Sequence, residues 1–413
     1  MAAGHKRGSR WQGIVLGASS AKEVPRRHAE YKEKALRIPA QASVVNIEQA
    51  LREAAAAPLD EPFTLPLNLR HLGCGGEASL SQLLVTWAQR RPDAALQTFV
   101  HTPEQIEELV RRLPGLTGAL CAAAITGDRQ TGDVTRDVRS AALKRLTTLM
   151  SMKPKSAYRG ASAEVVCADH LGRSAPYLLY QPDALRPLLR PRRAFAALAS
   201  WLLNHTVPPA YQHRIATELD EALGGMMFEL FKNTEDHGQY DVAGNILSLS
   251  IRAIKTLHHA IEPERLVQIV ADYPPLAHYC QSLEAADGAA QTHLFELSVL
   301  DSGPGFAVSR TGRRLDDITL DEEEQAVRDC FTTFSAKGGL RFGQGLPHVL
   351  RVLRRERGFL RLRTGRLSIH ADFSGEHAGE GPAALEVYRP AGGALAPVAG
   401  SLLTVLLPLR RGR

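Results

Sequence analysis

The chain has 413 residues, of which 44% are apolar, and this predicts a globular protein of two or three domains with a sizeable core. Its formal net charge of +6 permits an anionic partner, a nucleotide included, but does not require one. The five cysteines form no Cys-x-x-Cys pair and no stretch approaches about 18 apolar residues, so we expect a cytoplasmic protein without a disulfide framework, zinc cage, secretory signal or membrane span.

The first half of the chain is predicted to contain an arm and one domain. Residues 1–40 are basic and polar, which favours a flexible arm, with a nucleic-acid-binding arm as the alternative. Residues 41–204 alternate between strand-like and helical patterns, which predicts a mixed α/β domain. The candidate elements are strands at 63–69 and 95–100, helices capped by Ser79 and at 104–113, and a connecting helix at 192–204. Their order faintly resembles that of STAS-type domains, but this region shows no catalytic constellation and its role is unknown.

A first chemical motif lies on a predicted amphipathic helix, since apolar residues recur at three- and four-residue spacing from Ile215 to Leu230. Glu229 and Asn233 are four residues apart and therefore share one face of that helix. The asparagine oxygen is a hard ligand suited to Mg²⁺, and a carboxylate beside it can polarise a water molecule. The same pair is also common on a solvated helix face, so this motif alone does not decide the function.

The second motif follows an apolar strand predicted at 294–300. Asp301 would lie at the strand end, where its carboxylate can accept a hydrogen bond from an exocyclic amine. Gly303 and Gly305 would let the backbone approach a flat base, because neither residue has a Cβ atom. A tight turn after a strand would give the same pattern.

The third motif is glycine-rich and precedes a predicted helix. It runs from Phe331 to Leu346 and ends in Gly343-Gln344-Gly345-Leu346. Free backbone N–H groups and the helix dipole at such a loop favour phosphate binding. The loop is not a Walker P-loop, because the GxxxxGK[ST] pattern is absent.

Taken in order, the three motifs resemble the N, G1 and G2 boxes of the GHKL superfamily, which includes DNA gyrase, the ninety-kilodalton heat-shock chaperone, histidine kinases and MutL. The resemblance covers residues 205–413. It implies an α+β chain whose C-terminal half is a two-layer α/β sandwich, the Bergerat ATP-binding fold, with a mixed sheet covered on one face by the motif helices. A hairpin predicted at 359–373, turning at Thr364-Gly365, and a last strand at 401–407 agree with that sheet.

The resemblance implies ATP and Mg²⁺ as ligands and a role for each matching residue. Glu229 would be the general base and Asn233 the magnesium ligand, while Asp301 would bind the adenine amino group. The remaining cofactor-binding residues are implied to be Gly303 and Gly305 beside the adenine, Gly343, Gly345 and Leu346 at the phosphates, Lys337 reaching a phosphate or facing solvent, and Thr404 behind the adenine. Residues 307–340 would form a mobile lid over the nucleotide.

Two features depart from the family pattern. The spacing between Asn233 and Asp301 is long, so residues 253–290 are predicted to be an insertion of unknown role. Seven arginines between Arg351 and Arg366 predict either a solvated helix face and sheet rim or a surface for nucleic acid or an acidic partner. The histidines, His258 and His259 included, show no metal-ligand spacing.

The leading functional hypothesis is a magnesium-dependent ATP hydrolase or an ATP-gated conformational switch. A protein serine/threonine kinase of the anti-sigma type and a non-catalytic nucleotide sensor in a bacterial regulatory or defence assembly remain alternatives. An ordinary two-component histidine kinase is not expected, because no phosphoacceptor-histidine helix lies at the expected distance upstream. The expected partners are a nucleotide and an unknown protein. A homodimer and a nucleic acid stay open, and no membrane is expected.

Overall fold

The structure, a computed structural model, describes residues 36–40, 43–69, 73–128, 131–151, 161–181, 187–212, 219–287, 290–332, 345–375, 385–390 and 393–409. The strands are β1 (Leu36–Arg37), β2 (Phe63–Thr64), β3 (Ala95–Gln97), β4 (Ala124–Thr126), β5 (Ser162–Ala168), β6 (Tyr180–Gln181), β7 (Leu188–Leu189), β8 (Ile251–Ile261), β9 (Thr292–Asp301), β10 (Phe359–Gly365), β11 (Leu367–Asp372), β12 (Glu386–Val387) and β13 (Val398–Pro408). The helices are α1 (Val44–Ala56), α2 (Gly76–Arg90), α3 (Pro103–Arg111), α4 (Leu113–Cys121), α5 (Thr135–Met150), α6 (Arg192–Thr206), α7 (Asp220–His237), α8 (Pro263–Val270), α9 (Pro274–Asp287), α10 (Phe306–Thr311), α11 (Leu320–Cys330) and α12 (Gly345–Arg355). The chain is α+β, as predicted.

The N-terminal elements form a parallel sheet of four short strands in the order β1-β2-β3-β4. Strand β1 pairs with β2, and Leu36 and Ile38 are buried in the core. The predicted flexible arm at residues 1–40 is therefore too long by its last residues, and the rest of it lies outside the described residues. The predicted cap residue Ser79 lies inside α2, which instead begins after Gly75 in the left-handed conformation.

The larger sheet has seven strands in the order β12-β11-β10-β13-β9-β8-β5. Every pairing in it is antiparallel, so the prediction of a mixed sheet is wrong for this part of the chain. The predicted hairpin is present, with Thr364 paired to Leu367, so the turn is one residue later than expected, at Gly365 and Arg366. Gly365 has a φ of +51°, which a residue with a side chain rarely adopts.

Helices cover both faces of this sheet, whereas the sequence predicts a two-layer sandwich. Alternate residues of a strand point to opposite faces. In β9, Phe295, Leu297 and Val299 pack in one hydrophobic cluster with α6, α7 and α12. Leu300 faces the other way, into the cluster that contains α2, and Leu294 packs there with α8 and α9. The described residues therefore form helical layers on both sides of the sheet.

The predicted boundary between residues 204 and 205 falls within one unit, because Leu36–Arg413 cluster together. Strand β5, from the N-terminal side of that boundary, pairs with β8 along its whole length. The buried Lys255 of β8 joins the same elements, since its Nζ atom lies 2.7 Å from Glu164 of β5 and 3.3 Å from Glu77 of α2. The seven-stranded sheet thus includes a strand from the predicted N-terminal domain.

The two segments predicted as an insertion and as a lid both contribute residues to the core. The predicted insertion at 253–290 contains most of strand β8, and its helices α8 and α9 pack on the sheet in a cluster with Leu294 and Phe359. The predicted lid at 307–340 begins with α10 and α11, and Glu323 of α11 is completely buried. Its carboxylate accepts hydrogen bonds from the backbone and side chain of Arg366 at the hairpin turn. The predicted lid thus contains two short helices, of which α11 is anchored to the hairpin turn through Glu323, and 333–344 lie outside the described residues.

Candidate functional site

Helix α7 carries the first motif, and residues of the other two motifs contact it. Its buried face packs against the sheet through Leu223, Met226, Met227, Leu230 and Phe231. This face has the three- and four-residue spacing that the sequence shows. Glu229 and Asn233 lie outside this stripe and are half-buried.

Glu229 lies between two other elements of the site. Its Oε1 atom accepts a hydrogen bond from Nη1 of Arg192, at the start of α6, over 2.8 Å. A Cβ atom at Gly345 would lie only 2.7 Å from Oε2, so this glycine lets α12 approach the carboxylate. Desolvation raises the pKa of Glu229, and the positive charges of Arg192 and Lys232 oppose that rise. The carboxylate is therefore oriented by an arginine that the sequence analysis did not identify.

Asn233 lies one turn beyond Glu229. Its neighbour Lys232 forms an i,i+4 ion pair with Asp236, which directs the ammonium group along the helix. Within the described part of the chain, no hydrogen bond engages the Asn233 side chain.

The second motif contacts the C-terminal end of α7. Asp301 ends β9 and is only 9% exposed. Gly238 and Gly303 make this contact close, because a Cβ atom on Gly238 would lie 2.6 Å from Cβ of Asp301. A Cβ atom on Gly303 would lie 2.7 Å from the carbonyl oxygen of His237. Two motifs more than sixty residues apart in the sequence therefore meet directly.

The Asp301 carboxylate is held by the backbone. Its Oδ1 atom accepts the N–H of Gly303 over 2.9 Å, and the backbone of Ser401 donates a second hydrogen bond. Burial raises the pKa of Asp301 to about 7, and those two backbone hydrogen bonds oppose the rise. A buried carboxyl group that is oriented by backbone N–H groups can accept a hydrogen bond from a ligand that shields it from water.

A row of polar side chains continues from Asp301 across two more strands. Ser401 of β13 pairs with Asp301, and Thr364 of β10 pairs with Ser401. The two hydroxyl oxygens lie 3.2 Å apart, and Oγ1 of Thr364 accepts the backbone N–H of Phe306 over 3.1 Å. Gly305, with a φ of +85°, comes so close that a Cβ atom there would lie 2.8 Å from Oγ1 of Thr364. Neither Ser401 nor Thr364 was predicted as a site residue from the sequence.

Thr404 does not belong to this row. It pairs with Ser298, and its hydroxyl oxygen lies 2.9 Å from that of Ser298. A Cβ atom on Gly75, at the start of α2, would lie 3.2 Å from Cγ2 of Thr404. Thr404 therefore faces α2, on the side of the sheet away from Asp301, so the structure does not bring these two predicted site residues together. An odd separation along a strand reverses the face, and Ser401 is three residues away.

The third motif is described only from Gly345 onward. Gly345 begins α12 beside Glu229, and Leu346 is buried in the core. Lys337 and Gly343 lie outside the described residues. His348, one turn into α12, has a buried Nε2 atom with no hydrogen-bond partner among the described residues, and a Cβ atom on Gly225 would lie 2.9 Å from it. His348 is a further side chain of the site that no sequence pattern indicated.

The arginine-rich segment does not form one exposed surface. Arg361 and Arg363 are 4% and 1% exposed, and both pair with the buried Glu48 of α1. The side chain of Arg366 pairs with Glu323. These three arginines stabilise contacts inside the chain, so they cannot contribute to a nucleic-acid surface without local unfolding.

Comparison of the chain with protein-family models, with curated proteins and with solved structures finds no match. In the described residues, no helix combines the length and the apolar character needed to cross a membrane.

Proposed function

We propose that this chain binds ATP with Mg²⁺ in a GHKL-type site on α7 and acts as an ATP-gated switch with ATPase activity. The main support for the proposal is that residues of the second and third motifs contact α7, the helix that contains the first motif. Gly303 and Asp301 pack against the end of α7, and Gly345 packs against Glu229 in its middle. The antiparallel sheet and its second helical layer would then be a variant of the Bergerat fold.

The donor set fits the two ligands. Asp301 would accept the exocyclic amine of adenine, and the hydroxyl groups of Ser401 and Thr364 would lie beside the base. The carboxamide oxygen of Asn233 has no partner among the described residues, and such an oxygen is a suitable magnesium ligand. Bound magnesium would supply charge neutralisation at the phosphates. The start of α12 at Gly345 offers free backbone N–H groups to phosphate oxygens.

Glu229 would orient the attacking water and accept its proton. Desolvation raises its pKa and so makes it a better base, while Arg192 fixes the direction of its carboxylate. Arg192 also joins the site to α6, the helix that leads in from the N-terminal half. A change in the Arg192–Glu229 contact on nucleotide binding would therefore be transmitted to α6, which is the basis of the proposed switch.

The magnesium assignment predicts the behaviour of Asn233→Ala. Calorimetry should show that the wild-type protein binds ATP at least about tenfold more tightly with Mg²⁺ than with a chelator. In Asn233→Ala this difference should disappear, because the metal loses its protein ligand. Asn204→Ala, which changes an exposed asparagine at the end of α6, should behave as the wild type. An Asn233→Ala protein with the full magnesium dependence would rule out this ligand.

The ATPase assignment predicts a separation of binding from turnover in Glu229→Gln. The variant should bind ATP with wild-type affinity but release phosphate about 10²- to 10⁴-fold more slowly, because it lacks the general base. Glu221→Gln, at an exposed position of the same helix, is the matched control. Equal phosphate release by Glu229→Gln and wild type would contradict the role of Glu229. Phosphate transfer to a partner protein, without release, would instead favour the anti-sigma-type kinase.

A further inference from the structure

Three metal-ligating side chains from distant parts of the sequence meet on the side of the sheet that faces away from Asp301. They are Cys74 in the turn before α2, His259 in β8 and Glu296 in β9. One potential ligand atom from each lies within 4.8 Å of the other two. Tetrahedral zinc with a Zn–S distance of about 2.3 Å and Zn–N and Zn–O distances of about 2.0 Å would need ligand separations of about 3.2 to 3.8 Å. The 4.8 Å limit exceeds these separations, so zinc binding would draw the three atoms closer together.

The cluster is built into the interior of the protein. Glu296 is completely buried, Cys74 is 4% exposed, and the side chain of His259 is 13% exposed. Neighbouring groups hold the carboxylate in place, since Oε2 accepts the backbone N–H of Gly75 over 2.7 Å and Oε1 accepts the hydroxyl of Ser298 over 3.1 Å. Outer contacts of this kind orient the ligands of protein metal sites.

The Glu296 carboxylate is hydrogen-bonded, but its negative charge has one ionic partner among the described residues. In the ranges that the structure describes, His259 is its only ionic partner, with Nε2 2.8 Å from Oε2. A buried carboxylate is stable only when it is paired, hydrogen-bonded or bound to a metal. A divalent cation shared by the imidazole, the carboxylate and a thiolate would neutralise it.

The backbone of the turn that carries Cys74 has a defined conformation that depends on two glycines. Gly73 and Gly75 on either side of it have φ values of +68° and +78°, a conformation that residues with side chains rarely adopt. A Cβ atom on Gly75 would lie 3.2 Å from Thr404 of β13, so the turn packs directly on the sheet. Thiolate, imidazole and carboxylate together are typical zinc ligands, and the thiolate disfavours magnesium and calcium.

We propose that Cys74, His259 and Glu296 bind one zinc ion that ties the turn before α2 to strands β8 and β9. We assign the ion a structural role because the site lies inside the fold and on the opposite face from the proposed nucleotide site; the three protein ligands leave one position of a tetrahedral ion open. If it is confirmed, this site would replace the expectation, made from the sequence, of no zinc cage and no histidine ligand. The ligands are 185 and 37 residues apart, so no local spacing could indicate them.

Metal analysis of the full chain tests this proposal. The protein is stripped with a chelator in a thiol-free reductant, dialysed against Zn²⁺ and then against zinc-free buffer. We expect about one zinc ion per wild-type chain and at least a tenfold lower content in Cys74→Ser and Glu296→Gln. Cys280→Ser is the matched control, because Cys280 is a buried cysteine of the same hydrophobic cluster and lies outside the ligand set. It should keep its zinc.

Two further measurements test the proposal if a variant folds too poorly for metal analysis. Cobalt in place of zinc should give the wild-type protein a thiolate-to-cobalt charge-transfer band, and Cys74→Ser should lack that band. Chelation should lower the Tm of the wild type and of Cys280→Ser, because the ion binds only the folded state. A folded wild-type protein with less than about a tenth of an ion per chain and no cobalt band would overturn the proposal. Loss of zinc from Cys280→Ser would overturn the ligand set.

Discussion

Replacing Asp301 with asparagine should raise the free energy of unfolding at pH 8 by about 4 kcal/mol and remove the preference for ATP over GTP. Burial raises the pKa of Asp301 from 3.8 to about 7 in the folded protein. Between these values the unfolded chain loses the proton while the folded protein keeps it, so the wild type loses stability as the pH rises. The full loss is present above pH 7. Asparagine does not titrate, so its advantage should be complete at pH 8 and absent below about pH 4.

Urea unfolding of wild type and Asp301→Asn at pH 4, 6 and 8 measures this effect. The difference in free energy should grow with pH. Asp60→Asn, which changes an exposed carboxylate, should show a small difference at every pH. Nucleotide titration of the same variant at pH 8 then separates binding from stability, because a more stable protein that fails to distinguish ATP from GTP has lost a contact and not its fold. A stability difference that is constant with pH would contradict the buried, titrating carboxyl group. Retained selectivity would place the base elsewhere.

Glu48→Ala should lower the free energy of unfolding by about 3 to 5 kcal/mol, the usual loss when one partner of a buried ion pair is removed. The Glu48 carboxylate lies 2.7 Å from Nη2 of Arg361 and 2.9 Å from Nε of Arg363. All three residues are at most 7% exposed. The substitution would leave two buried guanidinium groups without a carboxylate, although Arg361 would keep its hydrogen bond to Ser79.

Chemical denaturation with a matched control tests this second prediction. Glu53 lies on the exposed side of the same helix α1, so Glu53→Ala should change the free energy of unfolding by no more than about 0.5 kcal/mol. Glu48→Gln keeps the size and a hydrogen-bonding oxygen but removes the charge, so its loss should be intermediate. Equal losses in Glu48→Ala and Glu53→Ala would show that the buried pairs do not stabilise the contact between α1 and the sheet.

Local patterns predicted the elements of the site well. The apolar repeat before Glu229 corresponds to α7, the apolar run before Asp301 to β9, and the segment 359–373 to a hairpin. These features are readable because each depends on neighbours within about ten residues. The contact between the motifs joins residues that are far apart in the sequence. Only the order of the three motifs indicated it.

Features that depend on strand parity or distant partners were not predictable from the sequence. Thr404 and Ser401 are both β-strand hydroxyl residues, and which one faces Asp301 depends on register, which a single sequence does not show. Arg361 and Arg363 resemble surface residues because their partner Glu48 is more than 300 residues away. The number of layers also depends on the packing of α2 against the larger sheet, and no sequence motif predicts that packing.

The position of β13 has a consequence for how the protein is made. In the described part of the chain, this strand, residues 398–408, lies fourth among seven and is the one strand between β10 and β9. Until the ribosome has released residue 408, the sheet exists as two separate pieces, each with an unpaired edge strand. Such edges promote pairing with other chains, and closure over long sequence separations is slow. The nascent chain should therefore complete its core only after synthesis of that strand, and it should depend on chaperones to protect both edges until then.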